Sequence, residues 1–160
     1  MSIIEKIQPR DQLKIILKEK KTEGKKIVFT NGCFDILHVG HTRYLAEAKA
    51  RGDLLVIALN SDSSVKLLKG DKRPIIPEIE RAEMLANLEV VDYVTIFSEK
   101  TANETIAILK PDIYIKGGDY QIEELPEAEV VASYGGKIDL VSEIKGASTT
   151  NIIGEILKRY

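Results

Sequence analysis

An α/β domain, built on about five parallel strands with helices on both faces, is the fold this sequence predicts, and three observations predict it. Apolar periodicity switches repeatedly between short β-branched runs and stretches of helical spacing along the chain. The strand runs are continuously apolar, as strands covered on both faces are. Glycine-rich and polar motifs follow the strands directly, where open parallel sheets gather their ligands.

Residues 9–22 open on Pro9, a good first-turn residue, place Leu13, Ile16 and Leu17 on one face, and are followed by Gly24 as a stop; they predict a helix. KIVFT (26–30) predicts the first strand and NGCFDILHVG the loop after it. HTRYLAEAKARG sets His41, Tyr44, Leu45 and Ala48 at helical spacing before Gly52, and DLLVIALN (53–60) returns to strand character. That is a βαβ unit. IPEIERAEMLANLE then reads as helix, YVTIF (93–97) as strand, ANETIAILK as helix and DIYIK (112–116) as strand. A helix near 126–134, a strand KIDLV (137–141) and a last helix from Ser148, with an apolar stripe of Ile152, Ile153, Ile156 and Leu157, complete the order.

A chain of 160 residues with 44% hydrophobic residues is sized for one domain spanning 1–160. Its net charge of −2 speaks against a nucleic-acid binder, since such proteins neutralise many phosphates with clustered cations. MSIIEKIQPRDQLK lacks the apolar core of a secretory leader, and no run approaches bilayer-spanning length, so a cytoplasmic protein without a membrane partner is expected. The lone Cys33 makes no intramolecular disulfide, and no spaced His/Cys set predicts a protein-built metal site. GxGxxG and GxxxxGK[ST] phosphate loops are absent.

Both histidines of the chain, His38 and His41, stand in the four-residue stretch HVGH after the first strand. A lone histidine there reads as a polar cap. Two of them, one ahead of a helix and one in its first turn, converge beside backbone N–H groups that attract anions, a constellation suited to phosphate. Ser148 and Thr149 open the last helix; alone they read first as plain N-caps that need no ligand. KLLKGDKR (66–73) carries four cations and one acid, ordinarily a solvated face.

TNGCFDILHVGH resembles the first signature of the nucleotidyltransferase superfamily that carries a His-x-Gly-His motif, and GASTTNII resembles its second, a Ser-Thr-Thr run at the start of the last helix. The resemblance implies a Rossmann-like nucleotidyltransferase fold. It also implies that His38 and His41 hold the α-phosphate and the departing β-phosphate, that Lys69 (or, second, Lys66) is the catalytic lysine, and that Ser148, Thr149 and Thr150 bind phosphates. Thr30, Asn31, Gly32, Cys33 and Phe34, with Gly40, would lie along the nucleotide, Gly32 and Gly40 being small so that backbone can approach it. On the residues themselves, Phe34 reads as core and Cys33 as a small buried side chain. Gly117 and Asp119 are expected at the base or ribose. Asn60 and Asp62, in NSD after the second strand, would support the substrate, and Asp35 would bind or simply brace its turn. Arg73 and Arg81 stand as candidate contacts to phosphates or to a second subunit, and Arg81 reads equally as a structural residue.

FTNGCFDILHVGHTRYL, LNSD, KGDKRP, IKGGDY and STTNII together are similar to the adenylyltransferases that make ADP-heptose from D-glycero-β-D-manno-heptose 1-phosphate and ATP. That resemblance implies ATP and a sugar 1-phosphate as substrates, Mg²⁺ carried on the ATP phosphates, a homodimer, and a separate sugar kinase. The rival resemblance is to glycerol-3-phosphate cytidylyltransferases, which carry Arg three residues before the Gly of the second signature; here that position is Glu143. A noncatalytic nucleotide sensor is the alternative from another class.

Overall fold

The computed structural model describes residues 1–160. Five parallel strands, β1 (Ile27–Gly32), β2 (Leu54–Asn60), β3 (Tyr93–Phe97), β4 (Ile113–Gly117) and β5 (Lys137–Val141), form one sheet in the order β3-β2-β1-β4-β5. The first crossover leads away from β1 to β2 and β3, and the chain then returns to place β4 on the other side of β1. That reversal makes the β1/β4 boundary the switch point at which ligand crevices open. Here it is a physical gap: β1 pairs with β2 over six positions but with β4 only at Val28↔Ile113 and Phe29↔Tyr114.

Strand alternation divides the core between the two faces of the sheet. Ile27, Phe29, Val56, Ala58 and Tyr114 point to one face and are covered by α2 (Arg10–Thr22), α6 (Asn103–Leu109) and α7 (Ala128–Ser133). Val28, Leu55, Ile57, Leu59 and Ile115 point to the other, against α3 (Val39–Lys49) and α5 (Glu78–Ala86). Leu13, Leu45 and Leu85 are fully buried in these layers, and truncating a leucine so placed costs about 2–5 kcal/mol. No helix is long and apolar enough to cross a membrane.

The sequence reading missed two helices. A short α1 (Ile3–Lys6) is held by a reciprocal capping box between Ser2 and Glu5, after which Ile7 bridges to Val94 on β3. The second, α4 (Asp62–Lys69), occupies the stretch read as a polar motif plus a basic run. Ser61 caps it by accepting from the Ser64 N–H, and Gly70, at φ 93°, ends it. The last helix, α8 (Thr149–Arg159), forms as expected, but its apolar stripe does not join the core: no residue of it is buried, and Ile156 and Leu157 are 50% and 77% exposed.

Candidate active site

At the carboxyl ends of the strands lies a cavity of about 710 Å³, lined from the β1–α3 loop, the end of α4, the ends of β2 and β4, and the start of α8. Its floor is the gap between β1 and β4. Thr30 bridges that gap: its Oγ1 lies 3.0 Å from the Ile115 carbonyl and 2.6 Å from the Tyr44 hydroxyl, which is itself 3.1 Å from the same carbonyl. Thr30 is only 1% exposed, so its hydroxyl is committed to the floor rather than to the cavity. Burial pushes the Tyr44 phenol up to about 12, keeping it protonated.

The α3 end of the cavity is built by packing. His38 is the N-cap of α3 and its Nδ1 accepts from the Gly40 N–H at 3.1 Å. With Nδ1 accepting, the proton of the neutral ring sits on Nε2, which fixes the tautomer and leaves a donor for a ligand. The His38 and His41 rings stack at 3.8 Å between centroids, and Phe34 packs on His41 at 5.1 Å. Burial, and then the neighbouring His38, hold His41 down to about 4, while burial lowers His38 as well. Burial thus favours the neutral form of both rings in the free protein, which offers N–H donors rather than cations. The Nδ1 of His41 is buried without a protein partner.

The glycines of this loop have a packing reason. A Cβ on Gly40 would stand 2.8 Å from the His38 ring and 2.9 Å from the Ala147 Cβ. One on Gly32 would stand 2.9 Å from the Phe34 ring, which reaches it because Phe34 takes φ 44°. Phe34 is buried at 6% exposure and Cys33 is half-buried, its thiol pushed up by burial.

Next to this turn, Ser148 caps α8 by accepting from the Asn151 N–H at 3.0 Å, which leaves its own hydroxyl proton free. Thr149 donates its hydroxyl to the Ile36 carbonyl at 3.3 Å and so ties α8 to the β1–α3 loop. What remains for an anion here are the Ser148 hydroxyl and the first N–H groups of α8, which no helix can satisfy internally. Thr150 also lines the cavity.

Asp35 braces a different segment from the one expected. It accepts from the Ile75 and Ile76 N–H groups and from Arg73 Nε at 2.6 Å, so it fastens the chain after α4 rather than its own turn. Burial works to raise its carboxyl, but these hydrogen bonds prevail and hold it below the ordinary aspartate value. Arg73 lines the cavity beside it. Of the two readings of Arg81 the structure selects the structural one and corrects the phosphate or subunit contact: 1% exposed, it donates to the carbonyls of Ile76, Cys33 and Asn60 and to Asp62. A guanidinium so buried and so paired has no face for a phosphate or a second subunit.

Of the two lysines, Lys69 lines the cavity and Lys66 does not. Asn60 and Gly117 line it as expected, whereas Asp62 and Asp119 lie outside it. A Cβ on Gly117 would meet Tyr44 at 3.2 Å and Glu143 Oε1 at 3.3 Å, so this glycine opens a lobe bounded by Tyr44, Glu143, Ile144 and Ala147. The sequence reading missed Tyr44, Tyr120 and Glu127 as lining residues, and placed Lys116 only within the segment 116–119 expected to govern base choice. Strand parity carried the signal for Lys116, which sits two residues after Tyr114 on β4; nothing local marked Glu127.

Residues 29–155 match the cytidylyltransferase-like family. Among curated relatives, the chain is 57% identical over 155 residues to the bifunctional protein HldE of Pelobacter propionicus and 56% identical over 155 residues to that of Geobacter metallireducens. Each alignment covers 97% of this chain and 32% of the relative, so the chain spans about a third of the length of the curated relatives it matches. A solved structure, the lipopolysaccharide core biosynthesis protein from Thermoplasma volcanium GSS1, is similar at TM-score 0.62 and 34% identity, over 76% of this chain and 98% of that one. The family match begins within β1 and leaves α1 and α2 outside it.

Proposed function

The chain belongs to the cytidylyltransferase-like family of nucleotidyltransferases, and on that premise we propose that it transfers the adenylyl group of ATP to D-glycero-β-D-manno-heptose 1-phosphate, releasing pyrophosphate and forming ADP-heptose. One observation carries the reading. Two neutral, stacked imidazoles at the N-terminus of α3 line the same cavity as the Ser148 hydroxyl and the N-terminus of α8, which Ala147 and Thr149 hold against the β1–α3 segment, so uncharged donors converge on one space from two helix ends.

Nucleotidyl transfer needs that arrangement. As the acceptor phosphate attacks the α-phosphorus in line, charge grows on the α-phosphate oxygens and on the departing pyrophosphate. His38 Nε2–H and His41 donate to that charge, and being neutral they do not trap the ground-state triphosphate. Lys69 and Arg73 receive the pyrophosphate as cations, with the first turn of α8. No side chain forms a covalent bond with the nucleotide. No three or more His, Cys, Asp or Glu side chains gather as an ion site; the Mg²⁺ of this reading arrives on ATP, where it neutralises phosphate charge. Adenine enters the lobe opened by Gly117 and bounded by Glu143 and Ile144.

ATP over CTP rests on the similarity to the HldE proteins and on Glu143 standing where glycerol-3-phosphate cytidylyltransferases carry Arg. The reading also includes a cytoplasmic dimer and a sugar kinase that supplies the acceptor. Pyrophosphate release, measured with each nucleoside triphosphate against a panel of sugar and polyol phosphates, tests it. ATP with the heptose phosphate should give the highest kcat/KM. Faster CDP-glycerol formation from CTP and glycerol 3-phosphate rejects the heptose assignment, and ATP binding without pyrophosphate release makes the chain a sensor.

A further inference from the structure

On the α6/α7 side of the sheet, the cavity has a second wall that none of the chemistry above uses. Strand parity puts Asn31, Tyr114 and Lys116 on this wall, away from the lobe opened by Gly117. Glu127, just ahead of α7, completes it. The Glu127 side chain is 6% exposed; its Oε1 lies 3.6 Å from Lys116 Nζ, the Tyr114 hydroxyl lies beside its carboxyl, and its Oε2 is buried with no partner within hydrogen-bond distance. Tyr114 donates to Asn31 Oδ1 at 2.8 Å, which leaves the Asn31 amide N–H groups without a protein acceptor in a residue that lines the cavity. Lys116 also sits 5.7 Å over the Tyr120 ring.

A buried carboxylate oxygen without a donor is costly, and such a group in a native cavity wall calls for a ligand that satisfies it. The chemistry of that ligand follows from the set. A phosphate is excluded at Glu127 by like charge, and an apolar group would leave both Glu127 and Asn31 unpaired. A hydroxyl array fits, because each hydroxyl donates to Glu127 and accepts from Asn31 or Lys116. Resting on the nucleotidyltransferase reading above, we infer that Glu127 is a specificity-determining residue that reads hydroxyl groups of the acceptor sugar, with Asn31 and Lys116 beside it. It is a binding contact and takes no part in the transfer itself. A site that bonds a hydroxyl rejects the analogue lacking it far more strongly than an apolar pocket would.

The experiment compares the wild-type chain with Glu127→Gln, which keeps the shape and removes the charge, and with Glu127→Asp, which keeps the charge and shortens the reach. KM for ATP and for the sugar 1-phosphate are measured separately, with singly deoxygenated sugar 1-phosphates as further acceptors and 2′- and 3′-deoxy ATP as nucleotide controls. Thermal unfolding and binding of α,β-methylene ATP report on folding. Glu127→Gln should raise the acceptor KM about 10-fold, the scale of one hydrogen bond to a charged group, with the ATP KM and kcat nearly unchanged. At least one deoxy acceptor should be penalised in the wild type and lose that penalty in Glu127→Gln, the signature of a direct pairing. Equal deoxy-acceptor penalties in both proteins overturn the inference, as does a change in deoxy-ATP discrimination instead. Should Glu127→Gln fail to fold, the same comparison is read from Glu127→Asp. A wild type that makes no nucleotide sugar from any acceptor, while folded and binding the ATP analogue, rejects the functional reading and the inference with it. Product formation with unchanged acceptor discrimination rejects the inference alone.

Discussion

The α3 end of the cavity and the α4 end present opposite kinds of group to the same space. At α3 the donors are neutral, stacked and wedged: His38 is fixed by its cap bond, His41 by Phe34, and Gly40 by the space between His38 and Ala147. At α4 the donor is an exposed lysine one residue before Gly70, on a helix whose Leu67 and Leu68 are 70% and 46% exposed. Preorganised dipoles act without reorganising when charge develops, whereas a long cationic chain finds its partner by moving. In the proposed reaction the contrast becomes a division of labour: the rigid end would serve the transition state, and the mobile end would collect the triphosphate and its leaving group.

Removing a rigid donor should have the largest effect. His38→Ala or His41→Ala should lower kcat by about 10²-fold or more, the scale of a lost oxyanion donor, with a smaller change in ATP affinity. Normal folding together with near wild-type turnover would break the comparison at its stronger end. Neutrality is checked separately by NMR titration of the free protein. His41 should titrate near 4, well below an unperturbed histidine at about 6.5. Because its folded value is depressed, His41 favours the fold above the unfolded value, and that contribution is lost as pH falls from there through the folded value. The unfolding midpoint should therefore drop across that window, and less so in a His41→Asn variant.

Asp35 joins the two ends, since it leaves the β1–α3 loop and clasps the segment following α4. Asp35→Ala strands Arg73 and two backbone N–H groups, and should cost about 3 kcal/mol in denaturant unfolding. Its carboxyl is held low in the fold, so its stabilisation is full above the ordinary aspartate range and fades as pH falls through the folded value. A smaller loss, below about 1 kcal/mol, would mean that the α4 segment is held by other contacts.

At the mobile end, Lys69→Ala should lower kcat/KM for MgATP by about 10-fold, the equivalent of one cation contact, while leaving the unfolding midpoint unchanged because the side chain is exposed. Lys66→Ala, outside the cavity, should change neither quantity. Equal effects of the two would erase the distinction between a positioned cation and a diffuse basic patch.

The rigid end was the part most legible in the sequence, for a physical reason. Its donors sit at strand-to-helix junctions, where apolar periodicity and capping residues are strongest, so HVGH and STT could be placed on helix ends from spacing alone. The strands were legible within two residues at each end for the same reason. Helix α4 was written in the sequence as Ser61, Val65 and Gly70, yet the cationic run over its second half masked the cap and stop. Arg81 could not be resolved without the fold, because its acceptors are carbonyls from three separate segments. Glu127 was illegible too: its environment comes from β1, β4 and α7 together.

Thr149 tests the boundary between the two kinds of end, and its effect should be the smallest. Its hydroxyl proton is already given to the Ile36 carbonyl at a long 3.3 Å, so it tethers α8 to the rigid loop and does not donate to a ligand. Thr149→Val removes that tether while keeping the backbone N–H groups of the first turn. It should cost about 1 kcal/mol in unfolding, a single neutral hydrogen bond, and lower kcat by less than about 10-fold. Thr149→Ser keeps the hydroxyl and should behave like wild type. If Thr149→Val instead matched the histidine variants in kcat with unchanged stability, the hydroxyl would have to leave Ile36 and reach the phosphates during turnover. The α8 end would then belong with the mobile donors, and the rigid side of the cavity would reduce to the two histidines.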